Sequence, residues 1–279
     1  MAGKFDRTCI MVKQLALAAL LGSMLFVEAQ MATAPCRRKA FSNSISPTSV
    51  SQLTHWWKAD SLSLTDGTKV GNTGTEWVDL IGGLIATNST ANQRPTFKTG
   101  VANGLPGVLF TNLTSFATQN SLLLNSAFTH TNVWTVVAVI KASTTSGEFQ
   151  GGSIVGGPSD GFADQDTSML LTTLASAGTH NSVLTGLASD KGTVLSVCAL
   201  ENSGNPFMFR NNVDQGSLSS HVVPSYLNIG YLGAAGNING SGTANVRFSG
   251  YIFEILIYDK ALSADERAIL QTYFSRWGL

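Results

Sequence analysis

The loop at residues 156–166, GGPSDGFADQD, holds the side chains best spaced to do chemistry. Asp160, Asp164 and Asp166 can converge there, and carboxylates joined by backbone carbonyls suit calcium, a hard cation that takes oxygen ligands. The spacing matches no EF-hand, and the alternative is a solvated loop. Phe162 stands at the tip as an exposed aromatic candidate for a glycan. Asn211 and Asn212, and Asn237 with Asn239, offer amides able to bond sugar hydroxyls, although such Asn-rich stretches also read as turns. Hydrolysis of a glycosidic bond generally needs two carboxylates facing one groove. Glu148, Glu201 and Glu254 each lack an acidic neighbour two residues away, so no strand presents such a pair. There is no nucleophile elbow, phosphate loop or metalloprotease helix, and the four His are scattered without zinc spacing. The residues alone therefore predict a binding or structural protein and not an enzyme.

Strands must position these side chains. With 43% hydrophobic and 12% charged residues, a 279-residue chain can bury one sizeable core. Its 28 Gly fit many short strands joined by turns. The formal net charge of zero argues against an electrostatic grip on nucleic acid or on an acidic membrane.

Residues 132–141 alternate strictly, with Trp134, Val136, Ala138 and Ile140 on one face and Val133, Val137 and Val139 on the other. This predicts a central strand. Residues 168–174 and 182–188 carry weaker strand patterns. Residues 194–200 and 207–210 flank a turn cluster and predict a hairpin, after which Asn211-Asn212 suits a type I′ turn. Residues 248–258 are apolar on both faces except at Glu254, as a strand buried on both sides requires. Ser263-Ala-Asp-Glu266 is a capping box. Behind it Ile269, Leu270, Tyr273, Phe274 and Trp277 form a helical stripe, and Gly278 suits the helix end.

The N-terminal part reads separately. Lys4, Arg7 and Lys13 precede an uncharged run from Gln14 to Val27, shorter than the roughly 20 residues of a membrane span. Residues 1–29 are expected to be a signal peptide cut near Ala29-Gln30. Arg37-Arg38-Lys39 favours the alternative, a retained anchor meeting a membrane through residues 14–27. Residues 30–50 read as a linker and 51–279 as a single domain. Cys198 sits in an apolar run and reads as a small buried hydrophobe, with a Cys36–Cys198 disulfide as the alternative. Asn88, Asn112 and Asn239 begin glycosylation sequons.

Gly250, Ile252, Glu254, Ile257, Tyr258, Asp259, Lys260, Leu262, Ser263 and Glu266 fall in one run. It resembles the C-terminal signature of laminin G-like domains of the concanavalin A-like lectin/glucanase superfamily. The opening of the domain is similar to theirs too, through Trp56 to Asp60, Trp77-Val-Asp79 with Gly82, Arg94-Pro95 and Leu105-Pro-Gly107. The resemblance covers residues 51–279. It implies an all-β, antiparallel two-sheet jelly-roll sandwich of concanavalin A-like type with a short C-terminal helix.

The resemblance further implies that Trp56, Trp57 and Trp77 pack in the core, the alternative being platforms for sugar rings. Asp60 and Asp79 would fix turns, and Glu254 would pair with a turn amide or Arg247. Members that cleave β-glucans carry a Glu-x-Asp-x-x-Glu strand, which is missing here. The implied function is an exported, non-catalytic domain for carbohydrate binding or adhesion at a cell or particle surface, its partner a glycan or a surface protein. One alternative is a structural or decoration component of a virion. The other is a divergent glycoside hydrolase or polysaccharide lyase, for which Glu254 and Asp164 would be the first candidates.

Overall fold

The run at residues 248–258 is apolar on both faces because it lies mid-sheet, with a second sheet beneath it and a helix above. The computed structural model describes residues 45–111, 120–143, 151–157, 168–172, 182–185, 192–203, 205–217, 226–235 and 246–279. In chain order the strands are β1 (Leu53–Lys58), β2 (Trp77–Val78), β3 (Ile85–Thr87), β4 (Thr96–Ala102), β5 (Leu105–Phe110), β6 (Leu122–Thr131), β7 (Val133–Ala142), β8 (Gly151–Gly156), β9 (Ser168–Thr172), β10 (Ser182–Thr185), β11 (Val194–Asn202), β12 (Asn205–Arg210), β13 (Val213–Ser217), β14 (Tyr226–Leu232), β15 (Ala234–Ala235), β16 (Val246–Arg247) and β17 (Gly250–Tyr258). Helix α1 spans Ala264–Phe274.

One sheet runs β13-β12-β11-β7-β17-β5-β4. Strand β17 pairs with β7 along one edge, while its other edge is shared: β5 takes Gly250 to Ile252 and β1 takes Glu254 to Tyr258. The second sheet runs β10-β9-β8-β14-β6-β3-β2, with β16 beside β8. Pairing is antiparallel except at β9–β10 and β8–β16, a departure from the wholly antiparallel expectation. The architecture is an all-β sandwich with a short C-terminal helix.

Alternation along β7 sorts its side chains into two cores, as expected. Trp134, Val136, Ala138 and Ile140 join Trp57, Trp77, Phe110 and Ile255 between the sheets. Val137 and Val139 face the other way, into a layer that Leu270, Phe274 and Trp277 of the C-terminal segment cover. Each large side chain so buried contributes roughly 1.5–3 kcal/mol. The capping box forms: Ser263 Oγ accepts from the Glu266 amide at 3.3 Å and Glu266 Oε2 accepts from the Ser263 amide at 3.0 Å. Gly278 takes φ +87°, ending the helical segment in the left-handed region that glycine favours. Two expectations are corrected. Ile269 is 37% exposed, because the buried stripe runs through Leu270, Phe274 and Trp277 at i, i+4 and i+7. Packing also begins before Ser51: Pro47 and Val50 are buried, and the Tyr258 hydroxyl donates to the Pro47 carbonyl.

A β-bulge in β17 decides where its carboxylate goes. Ile252 pairs with Ile140, but Glu254 pairs with Val139, so Phe253 is one residue too many for strict alternation. Phe253 and Glu254 consequently both face the helix layer, where Phe253 packs on Trp277 at 4.9 Å. Without the extra residue Glu254 would point between the sheets.

Candidate functional site

Strands β5, β7 and β17 form the wall of a cleft of about 480 Å3. Such a volume lies in the small-molecule range of roughly 300–1,000 Å3. Leu109, Tyr251 and Lys141 stand side by side across it, because Tyr251 is the register partner of both Leu109 and Lys141. Gly250 makes the close strand approach possible. At φ +138°, any Cβ there would overlap the Lys141 carbonyl and come within 2.8 Å of Ala142 Cα. Tyr251 is half-buried, with its ring stacked on Phe253 at 6.2 Å. Thr111 lines the cleft with its hydroxyl donating to Asn120 Oδ1 at 2.8 Å, so its oxygen lone pairs remain to accept. Among the described residues the Tyr251 hydroxyl makes no hydrogen bond and the Lys141 ammonium pairs with no carboxylate. An aromatic ring, an apolar side chain, a cation and a hydroxyl thus meet in one concavity. Nothing in local sequence marks them, because the cleft comes from the ends of three strands.

The residues singled out by sequence fare differently. Asp160, Phe162, Asp164, Asp166, Asn237 and Asn239 lie outside the described residues, as do Cys36 and the leader. Among the described residues no group of His, Cys, Asp and Glu could hold a metal ion. Asn211 and Asn212 take φ +47° and +62°, as a type I′ turn requires. Asn211 Oδ1 accepts from the Ser196 amide at 2.9 Å, and Asn212 turns towards Arg267 and Gln271 of the helix. Asn211 thus has a structural task at this turn, whereas Asn212 Oδ1 is buried without a hydrogen-bond partner among the described residues. Trp57 and Trp77 are fully buried, as the core expectation required, while Trp56 lies edge-on to Tyr273 at 6.3 Å. Cys198 is a free, buried thiol that burial pushes up to about 12, with the Arg267 charge opposing.

For Glu254 sequence suggested a turn amide or Arg247, whose side chain lies outside the described part; the partners described are on the C-terminal helical segment. Glu254 is fully buried under the helix, accepting from the Tyr273 hydroxyl at 2.8 Å, with Arg276 Nη1 at 3.7 Å. Arg276 also donates to the Tyr273 oxygen at 2.8 Å and pairs with Asp60, which Lys58 approaches at 3.4 Å. Asp60 thus fastens the helical end to β1 instead of merely fixing a turn. Burial raises Glu254 to about 7, against the pull of the Tyr273 hydrogen bond and the Arg276 and Lys58 charges.

Asp79 does fix its turn, accepting from the amides of Trp56, Ile81 and Gly82 at 2.7, 3.0 and 3.0 Å. It also meets His55 Nδ1 at 2.6 Å. Burial works to raise this carboxyl, but the bonds from His55, Trp56 and Ile81 outweigh it and hold it below the ordinary range. A Cβ at position 82 would meet Asp79 Oδ2 at 2.6 Å, which is why glycine follows there.

Sequence reasoning missed that His55 and His130 come together, their ring centroids 6.0 Å apart. His130 Nδ1 lies 3.1 Å from Asp259 Oδ1, and burial holds this imidazole below its ordinary value despite that carboxylate. The His55–Asp79 pair joins β1 to the turn after β2, and the His130–Asp259 pair joins β6 to the residue after β17, so each spans the two sheets.

No protein-family model and no curated protein sequence matches the chain. Solved structures do match. Trypanosoma rangeli sialidase in complex with sialic acid is 13% identical, over 81% of this chain and 33% of that one, with a TM-score of 0.44. A mutant of that sialidase displaying trans-sialidase activity gives the same values. A variant of the NanB sialidase of Streptococcus pneumoniae is 17% identical, over 52% of this chain and 26% of that one, with a TM-score of 0.35. This chain spans about a third of the length of the trypanosomal sialidases it matches. Because the matched structures are enzymes, the expectation of a protein that is not an enzyme is withdrawn. TM-scores below 0.5 carry no sialidase reaction, substrate or residue role over to this chain.

Proposed function

We propose that this chain is an exported laminin G-like domain that binds carbohydrate at a cell or particle surface, seating the saccharide in the cleft between β5, β7 and β17. The observation that carries the reading is the pairing of Tyr251 with Lys141, each with a polar group unengaged among the described residues, in a concavity of about 480 Å3. An aromatic face can cover the apolar C–H face of a pyranose while nearby polar groups take its hydroxyls. The laminin G-like assignment is supported by the signature residues of the last strand and helix, which fall on β17 and the capping box of α1. Export is supported by the basic, then apolar, N-terminal sequence.

A glycan array probed with the full chain, with and without calcium, tests the reading. Binding to a defined set of glycans is expected, and Tyr251→Ala, which also loses its packing on Phe253, should abolish it in a protein that still unfolds cooperatively. Binding to no glycan overturns the carbohydrate reading. Binding that Tyr251→Ala leaves intact overturns the placement in this cleft. The same incubations should be assayed for new reducing ends, which would reveal turnover.

A further inference from the structure

We infer that the cleft selects acidic saccharides, with Lys141 receiving a carboxylate or sulfate group while Tyr251 packs on the sugar ring; this rests on the carbohydrate reading above. Lys141 is the only charged side chain lining the cleft among the described residues, and it is a cation without a counter-ion there. Elsewhere on this sheet Lys58 and Arg276 face Asp60, and Lys98 faces Asp66 at 3.2 Å. A lone ammonium in a half-enclosed site attracts an anion more strongly than one in open water, because fewer waters screen it. Its position is set by backbone pairing on both sides, since Lys141 lies between Tyr251 of β17 and Val194 of β11. The ammonium therefore sits one strand from the ring that would hold the sugar, a spacing of about 5 Å between Cβ atoms. That is within reach of an anionic substituent on the same pyranose. An uncharged saccharide would leave the cation unmatched.

The test uses the full chain and three matched sets of galactose tetrasaccharides, neutral, uronate-bearing and sulfated, titrated by calorimetry at low and at moderate salt. Acidic probes should bind at least tenfold more tightly than neutral ones, and added salt should narrow that gap. The uronate and sulfate arms separate the two sources of negative charge. Lys141→Gln should lower acidic-probe affinity about tenfold and leave neutral-probe affinity within twofold, whereas Lys141→Arg should keep most of the preference. Tyr251→Ala should weaken every probe. Equal binding of neutral and acidic probes, or an equal loss on both from Lys141→Gln, overturns the inference while leaving the cleft as a sugar site. If Tyr251→Ala changes nothing, or no saccharide binds, the underlying reading falls and the inference with it. Unchanged melting temperatures of the Lys141 variants exclude misfolding as the cause of any loss.

Discussion

The Tyr273 hydroxyl donates to Glu254 Oε1 at 2.8 Å, tying helix α1 to a carboxyl that has no solvent exposure. Burial raises that carboxyl from an ordinary value of 4.5 to about 7. A carboxyl raised on folding binds its proton more tightly in the folded state, so its cost is absent below the unfolded pKa. Stability should therefore fall as pH rises from about 4.5 to about 7 and level off above that. At about 1.4 kcal/mol per unit the effect is roughly 3 kcal/mol. His130 acts in the opposite sense below its ordinary value of 6.5, since burial depresses it and the unfolded chain takes up more protons there. Urea unfolding of the wild type and Glu254→Gln across this range separates the two. The variant should gain on the wild type by up to about 3 kcal/mol as pH rises. Curves that stay parallel would show that the carboxyl does not titrate in this window.

Gly250→Ala should cost more than Gly104→Ala. Both positions have positive φ, +138° and +79°, so each alanine pays for an unfavourable backbone, about 1–2 kcal/mol. At Gly104 nothing lies within 4 Å of the added Cβ, whereas at Gly250 it runs into the backbone of β7. Denaturant melts of the two variants should differ by at least about 2 kcal/mol. Equal losses would mean that β7 and β17 can part without penalty at this end.

Removing residues 1–44 should leave the unfolding transition of the remaining chain unchanged, while removing residues 1–51 should weaken it. The second deletion takes the buried Pro47 and Val50 and the carbonyl that receives the Tyr258 hydroxyl. Loss of the valine alone is worth roughly 1.5–3 kcal/mol. Identical melting temperatures for the two shortened chains would place the start of the folded body after residue 51.

Cys198 should resist alkylation in the native protein and react on unfolding. Its thiol is buried and pushed up to about 12, so almost none of the reactive thiolate exists at neutral pH. Peptide mapping after iodoacetamide treatment, with and without denaturant, reads this one site. Rapid native labelling would show that the helix lifts from the sheet.

The parts legible in the sequence are those fixed by short-range periodicity or by a cap. Alternation in β7 assigned its residues to the correct cores, and the capping box at Ser263 appears with both reciprocal bonds. The partner of Glu254 was not legible, because the bulge at Phe253 has no local signature and reverses the face that simple alternation assigns. The His55–His130 approach and the cleft of Tyr251 and Lys141 were hidden for a different reason. Each joins residues far apart in the chain through strand order, which no window of sequence contains.

The shared edge of β17 also sets the order in which the molecule can assemble. Strands β1, β5 and β7 are all synthesised well before the strand that joins them, and Trp56 meets Leu256 across nearly the whole domain. Among the described residues β1 pairs only with that late strand, so the sandwich cannot close progressively from its beginning. Long-range pairing of this kind slows folding and keeps the nascent chain open.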